Sequence, residues 1–135
     1  MIDDHYESLN EFFSEQLRAL NCHEDTRSYI IGALSKYQHN EFDLSGVSLT
    51  LLYIEAQSKM DFETFQNLGD FVFMSASIFP NSLNAASPDY YYALGSNSYL
   101  RCYKLINKQW KVYRTLAEDF IPLVSKVNQL IVQKS

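Results

Sequence analysis

Apolar residues recur at steps of three and four through most of the chain, the period that lines up one face of an α-helix. Tyr6, Leu9, Phe13, Leu17 and Leu20 predict a first helix over 3–20, with Asp3 or Asp4 able to cap it. Tyr29, Ile30, Ala33, Leu34 and Tyr37 predict a second over 25–37, capped by Asp25 or Thr26. Val47, Leu51 and Ile54, flanked by Leu52 and Ala56, predict a third over 44–58; the β-branched content of 47–54 leaves a strand as the alternative there. The most marked pattern follows Asp61, a candidate cap. Phe62, Phe65, Leu68, Val72, Ala76 and Phe79 form one stripe, and Phe71, Met74 and Ile78 widen it, so this helix is expected to be buried on more than one side.

Pro80 should end that fourth helix, because proline lacks the backbone donor and restricts the residue before it. Asn81, Ser82 and Asn84 are turn residues. Ser87-Pro88-Asp89 then opens a fifth helix, in which Tyr91, Leu94, Tyr99, Cys102 and Ile106 keep the period. Trp110, Tyr113, Leu116, Phe120, Val124, Val127 and Ile131 carry a last helix to residue 133. Pro122 predicts a kink in it near Glu118–Asp119. Asn107-Lys108 is the expected break between these two segments, and one very long helix is the alternative. The expectation is an all-α single domain over 1–135, a bundle of five or six helices with a central antiparallel helical hairpin over 62–103.

Gly69 and Gly95 lie inside the two helices of that hairpin, where each costs about 1 kcal/mol against alanine. They are therefore expected to have a structural reason, as is Pro80. The expected reason is a close approach of the two backbones, with tyrosine rings packed around the gap. A break at Gly69-Asp70, with Asp70 as a cap, is the alternative. Asp70 stands among apolar residues. If buried it needs donors, and the hydroxyl of Tyr90, Tyr91, Tyr92 or Tyr99 is the expected one. Its structural role is a hydrogen-bonded lock between helices. Its functional role is an acid in a pocket with Tyr91 and Tyr99.

Leu68-Gly69-Asp70, Phe79-Pro80, Tyr90-Tyr91 and Gly95 with Tyr99 resemble the motifs of an uncharacterised family of small bacterial all-helical proteins: Leu-Gly-Asp, Phe-Pro about ten residues on, Tyr-Tyr, and Gly-x-x-x-Tyr. Tyr29-Ile30-Ile31-Gly32-Ala33-Leu34 is similar to an apolar run that the family carries upstream. Ser77 departs from the pattern, which tends to have glycine there. The resemblance spans about two thirds of the chain. It implies a helical fold and adds no chemistry.

Composition narrows the classes. At 135 residues, with 47% hydrophobic and 20% charged, the chain can bury a core. Four glycines and three prolines are too few for an all-β chain. Ten tyrosines, nine phenylalanines and one tryptophan suit a core of rings with polar tips, or an aromatic-lined pocket. Cys22 and Cys102 are too few for a disulfide scaffold and suit a reduced cytoplasm. The acidic start, MIDDHYES, lacks a basic-then-apolar signal. The longest nearly apolar run, Phe71–Phe79, falls far short of a membrane span.

The net charge of −5 divides unevenly: −9 over residues 1–70 and +4 over 71–135. Overall acidity argues against nonspecific nucleic-acid binding. Arg101, Lys104, Lys108, Lys111 and Arg114 follow helical steps and form a candidate patch for an anion or an acidic partner; a solvated face is the plainer reading. His5, His23 and His39 have no helical pairing with one another, and Cys22-His23 and Asp3-x-His5-x-Glu7 supply too few ligands for a metal site. No Glu-x-x-His pair and no glycine-rich phosphate loop is present, so neither metal nor cofactor is implied. The leading expectation is a non-enzymatic protein-interaction or adaptor protein, with a protein partner that includes a second copy as an option. The alternative is a small-molecule sensor with an aromatic pocket between helices.

Overall fold

A computed structural model describes residues 4–38, 44, 48–80 and 88–133, with side chains described from residue 8 and not at residue 38. Among the described residues all regular structure is helical, in seven segments: α1 (Asp4–Gln16), α2 (Glu24–Gln38), α3 (Leu49–Lys59), α4 (Phe62–Ile78), α5 (Pro88–Leu105), α6 (Lys111–Glu118) and α7 (Phe120–Ile131). Six segments were the most that the sequence pattern predicted. The seventh arises at Asp119, where the expected kink is a break. Asp119 takes φ −107° and ψ 24°, and α7 restarts at Phe120. Pro122 has no N–H to give the preceding turn, so it sits in the first turn of the new helix, where that donor is not needed.

The other ends follow from local chemistry. Ser48 accepts a hydrogen bond from the Leu51 amide (3.3 Å) and starts α3, and Asp61 accepts one from Thr64 (3.3 Å) and starts α4. Met60, between these helices, takes a left-handed conformation (φ 51°), and its amide turns back to the carbonyls of Ala56 and Gln57. The start of α2 differs from expectation. His23 is the residue that accepts from the Asp25 amide, through Nδ1 at 3.1 Å, while Thr26 is buried. The helix therefore begins at Glu24, ahead of the two residues expected to cap it. Asn107 and Lys108 both lie in the left-handed region (φ 58° and 60°), and the Lys108 amide closes on the Tyr103 carbonyl at 2.9 Å. Two such residues in succession end α5 and exclude one continuous helix through this point.

The helix α4 is the centre of the packing. Every residue from Leu68 to Ser77 is buried, so three turns of this helix have no solvent side. It packs most extensively against α5, and also against α7, α3 and α2. Along α4 the contacts with α5 run in descending order: the Phe62 carbonyl lies 4.0 Å from Cys102 Sγ, Asp70 meets Tyr99, and Val72 lies beside Gly95. The connection between the two helices, 81–87, lies outside the described residues. The polar groups in the buried stretch find partners nearby. Ser77 donates to the Phe73 carbonyl, its own carbonyl accepts from Asn128 Nδ2 of α7 at 2.7 Å, and the Ser75 hydroxyl lies 3.5 Å from that of Tyr37.

Gly69 and Gly95 each admit an aromatic ring. A Cβ on Gly69 would lie 2.7 Å from Tyr99 Cε1, and a Cβ on Gly95 would lie 2.5 Å from Phe120 Cζ. The nearest atoms to both are ring carbons, so the expected backbone-to-backbone contact is replaced by two slots, one for a ring from α5 and one for a ring from α7.

Candidate functional site

Asp70 sits in the buried stretch of α4 with 5% of its surface exposed. Two phenols from two other helices donate to the same carboxylate oxygen: Tyr29 of α2 at 2.7 Å and Tyr99 of α5 at 2.8 Å, both to Oδ1. No described residue hydrogen-bonds Oδ2. The three side chains join α2, α4 and α5 at one point. The rings of Tyr29 and Tyr99 belong to a larger cluster. Tyr29 stands edge-on to Tyr99, Trp110 and Tyr113, with centroids 6.2, 5.8 and 5.4 Å away. Tyr99 also touches Phe120 (6.1 Å), the ring that fills the slot at Gly95. The Tyr113 hydroxyl accepts from Gln66 Nε2 at 2.6 Å.

Burial is the main influence on the titration of Asp70 and pushes it up to about 6. The two phenol hydrogen bonds and the charge of Lys36 act against that rise. Tyr29 and Tyr99 are held well above the ordinary phenol value, first by burial and then by the carboxylate charge beside them. Both phenols therefore stay protonated and serve as donors, and the carboxylate serves as the acceptor. Such a unit can hold a proton or a positive charge in a mostly dry setting.

A small cavity of about 150 Å³ adjoins this carboxylate between α2 and α4. Two larger ones, of about 450 and 460 Å³, lie elsewhere. One is bordered by Tyr92, Phe120 and Pro122, the other by Cys22, Thr115 and Leu123. Neither is lined by Asp70, Tyr91 or Tyr99.

Of the residues expected to form a site, Asp70 and Tyr99 meet. Tyr91 is elsewhere: eight residues before Tyr99 on α5, it is about 12 Å away along the axis, and it packs edge-on to Tyr90 at 5.4 Å. Tyr29 was the partner that the sequence pattern did not single out. Its signal was only its place on the apolar face of α2, with Ile30, Ala33 and Leu34. Ala33 is buried one turn on and on the same face, whereas a Cβ at Gly32 would meet nothing within 4 Å.

The cationic patch is divided by the break at Asn107–Lys108. Arg101 and Lys104 are exposed on α5, Lys108 is in the connection and Lys111 opens α6. Periodicity through one helix therefore does not align them. Arg114 is paired with Glu118 at 2.8 Å. Arg101 and Lys104 border a groove of about 160 Å³ between α3 and α5, with Phe65 at its base and Met60 on its edge.

Cys22 and Cys102 are free thiols. Among the described residues no cluster of three or more His, Cys, Asp or Glu side chains could hold a metal ion, and no helix is long and apolar enough to cross a membrane. The side chain of His5 and all of His39 lie outside the described residues. Among the described residues, fold and site together define a packing of helices organised on a buried, phenol-bound carboxylate. Compared with protein-family models, curated proteins and solved structures, the chain has no match.

Proposed function

We propose that this chain is a non-enzymatic protein-interaction module, of the adaptor kind, that engages an acidic partner through the groove between α3 and α5. One observation carries the reading: Met60, 69% exposed, stands beside Arg101 and Lys104 on the rim of a groove floored by Phe65. An apolar anchor ringed by two cations suits a segment that brings an apolar side chain flanked by carboxylates. Leu51 and Ile54, one turn apart on α3 and exposed by 66% and 53%, extend the apolar character of the same helix. The charge asymmetry makes a second copy a suitable partner, since residues 1–70 carry −9. The cytoplasm is the proposed location, in keeping with two free thiols.

The proposal includes a central antiparallel hairpin of α4 and α5, supported by the descending order of their contacts. It includes the resemblance to the uncharacterised bacterial family, supported by the meeting of three motif residues, Gly69, Asp70 and Tyr99, at one place.

Light scattering on the eluting protein, over a concentration series at low and high salt, tests self-association. The expected result is a mass above the monomer at low salt that reverts in Arg101→Glu/Lys104→Glu. A monomer under every condition removes the second copy as partner.

A second reading, a small-molecule sensor, is favoured by the cavity next to Asp70. That cavity is smaller than sites for drug-sized ligands, so its ligand would be a compound of a few heavy atoms.

A further inference from the structure

The cavity between α2 and α4 has an unusual set of walls. At its inner end is Asp70, 95% buried, whose Oδ1 is already occupied by the two phenols. Oδ2 is thus the acceptor left for whatever enters. Gln66 and the exposed Ser28 also line the cavity. Gly32 forms part of the wall, and a Cβ built there would meet nothing within 4 Å, so at this glycine the space is open. Lys36, one turn further along α2, is exposed and also lines the cavity. A carboxylate therefore lies inside and an ammonium lies towards the solvent.

We propose that this cavity binds a small amino-acid-like zwitterion, with its ammonium on Asp70 Oδ2 and its carboxylate towards Lys36. The assignment rests on the sensor reading above and adds the ligand class. Charge order selects the class. A simple amine would be drawn to Asp70 but repelled by Lys36 at the entrance. A simple carboxylate would be drawn to Lys36 and repelled by Asp70. A ligand bearing both charges a few ångströms apart satisfies both ends, and the mutual screening keeps the pair of ionic contacts neutral overall. Size sets the limit. A cavity of about 150 Å³ suits a ligand of a few heavy atoms, such as glycine or alanine.

The test is titration of the ¹⁵N-labelled protein with glycine, L-alanine, L-phenylalanine, methylammonium and acetate, followed by amide shifts. Glycine or alanine should move the resonances of residues 28–36 and 66–70 with saturation below about 10 mM. Phenylalanine, methylammonium and acetate should not. Gly32→Leu places a side chain in the open space of the cavity. Leucine is the better helix former, so the variant should keep the parent melting temperature or exceed it while losing the glycine response. Lys36→Gln should weaken that response at least tenfold. Binding of methylammonium or acetate as tight as that of glycine overturns the zwitterion assignment and leaves the sensor reading standing. Silence from all five compounds overturns both. A glycine response that persists in Gly32→Leu places the site elsewhere and overturns the assignment.

Discussion

The ring of Tyr99 stands where a side chain on Gly69 would be: Cε1 and Cδ1 lie 2.7 and 2.8 Å from the position of a Cβ there. The same tyrosine donates its hydroxyl to Asp70, the next residue along α4. One residue of α5 thus reads two consecutive residues of α4, the absence of a side chain at one and a carboxylate at the other. That pairing locates α5 on α4 both along and around the axis.

The three helical glycines should therefore respond differently to alanine. Gly32→Ala meets nothing within 4 Å and should stabilise by about 1 kcal/mol through helix propensity alone. Gly69→Ala meets a fully buried ring held by a hydrogen bond and should destabilise by about 2 kcal/mol or more. Gly95→Ala, whose Cβ would lie 2.5 Å from Phe120 Cζ, should behave like Gly69→Ala. Urea unfolding of the three variants checks the order.

Two substitutions separate the roles of the Asp70 carboxylate. Asp70→Ala leaves the hydroxyls of Tyr29 and Tyr99 buried without their acceptor and should cost about 1–3 kcal/mol. Asp70→Asn keeps an oxygen for both hydroxyls and removes the buried charge, so at neutral pH it should be at least as stable as the parent. An alanine variant as stable as the parent would show that the two hydrogen bonds contribute nothing.

The pH dependence has a definite sign. Burial raises Asp70 from 3.8 to about 6 in the folded chain. Between those values the folded state binds more protons than the unfolded one, so the Asp70 contribution makes stability fall as pH rises. The full difference is about 3 kcal/mol, reached above the folded value. Asp61 is shifted the opposite way by its hydrogen bonds to Thr64. Its contribution is present above 3.8 and is lost only at lower pH, outside this window. The parent should therefore gain stability relative to Asp70→Asn between about pH 7.5 and about pH 4.5. Denaturant curves of both proteins at the two pH values measure it, and parallel behaviour would remove the buried charge from the account.

The two thiols should differ in reactivity. Cys102 is fully buried, and burial pushes its thiol strongly up, with the Asp70 charge adding to the effect. Cys22 is only partly buried, and the charge of Arg27 offsets part of its rise. A thiol reagent should modify Cys22 first and reach Cys102 only on unfolding. Equal rates in the folded protein would show that the core opens readily around α5.

Local structure was legible in the order of the residues. The three-and-four spacing marked the helical stretches but ran α6 and α7 together as one kinked helix; Asp61 and Pro88 marked two helix starts, and Asn107-Lys108 marked a break, because caps, proline and periodicity act over a few residues. The sequence also marked Gly69, Gly95 and Asp70 as residues with a purpose. What they meet was decided by the tertiary structure. That Tyr99 is a partner of Asp70 and Tyr91 is not depends on where along α4 the helix α5 is placed, since the two tyrosines lie about 12 Å apart along the axis. That Tyr29 completes the pair depends on how closely α2 approaches across 41 positions of sequence. The split of the cationic patch depends on the new direction taken after Lys108. Spacing along one helix is set by the backbone, whereas contact between helices depends on the shapes of all the side chains packed between them, and no local pattern contains that information.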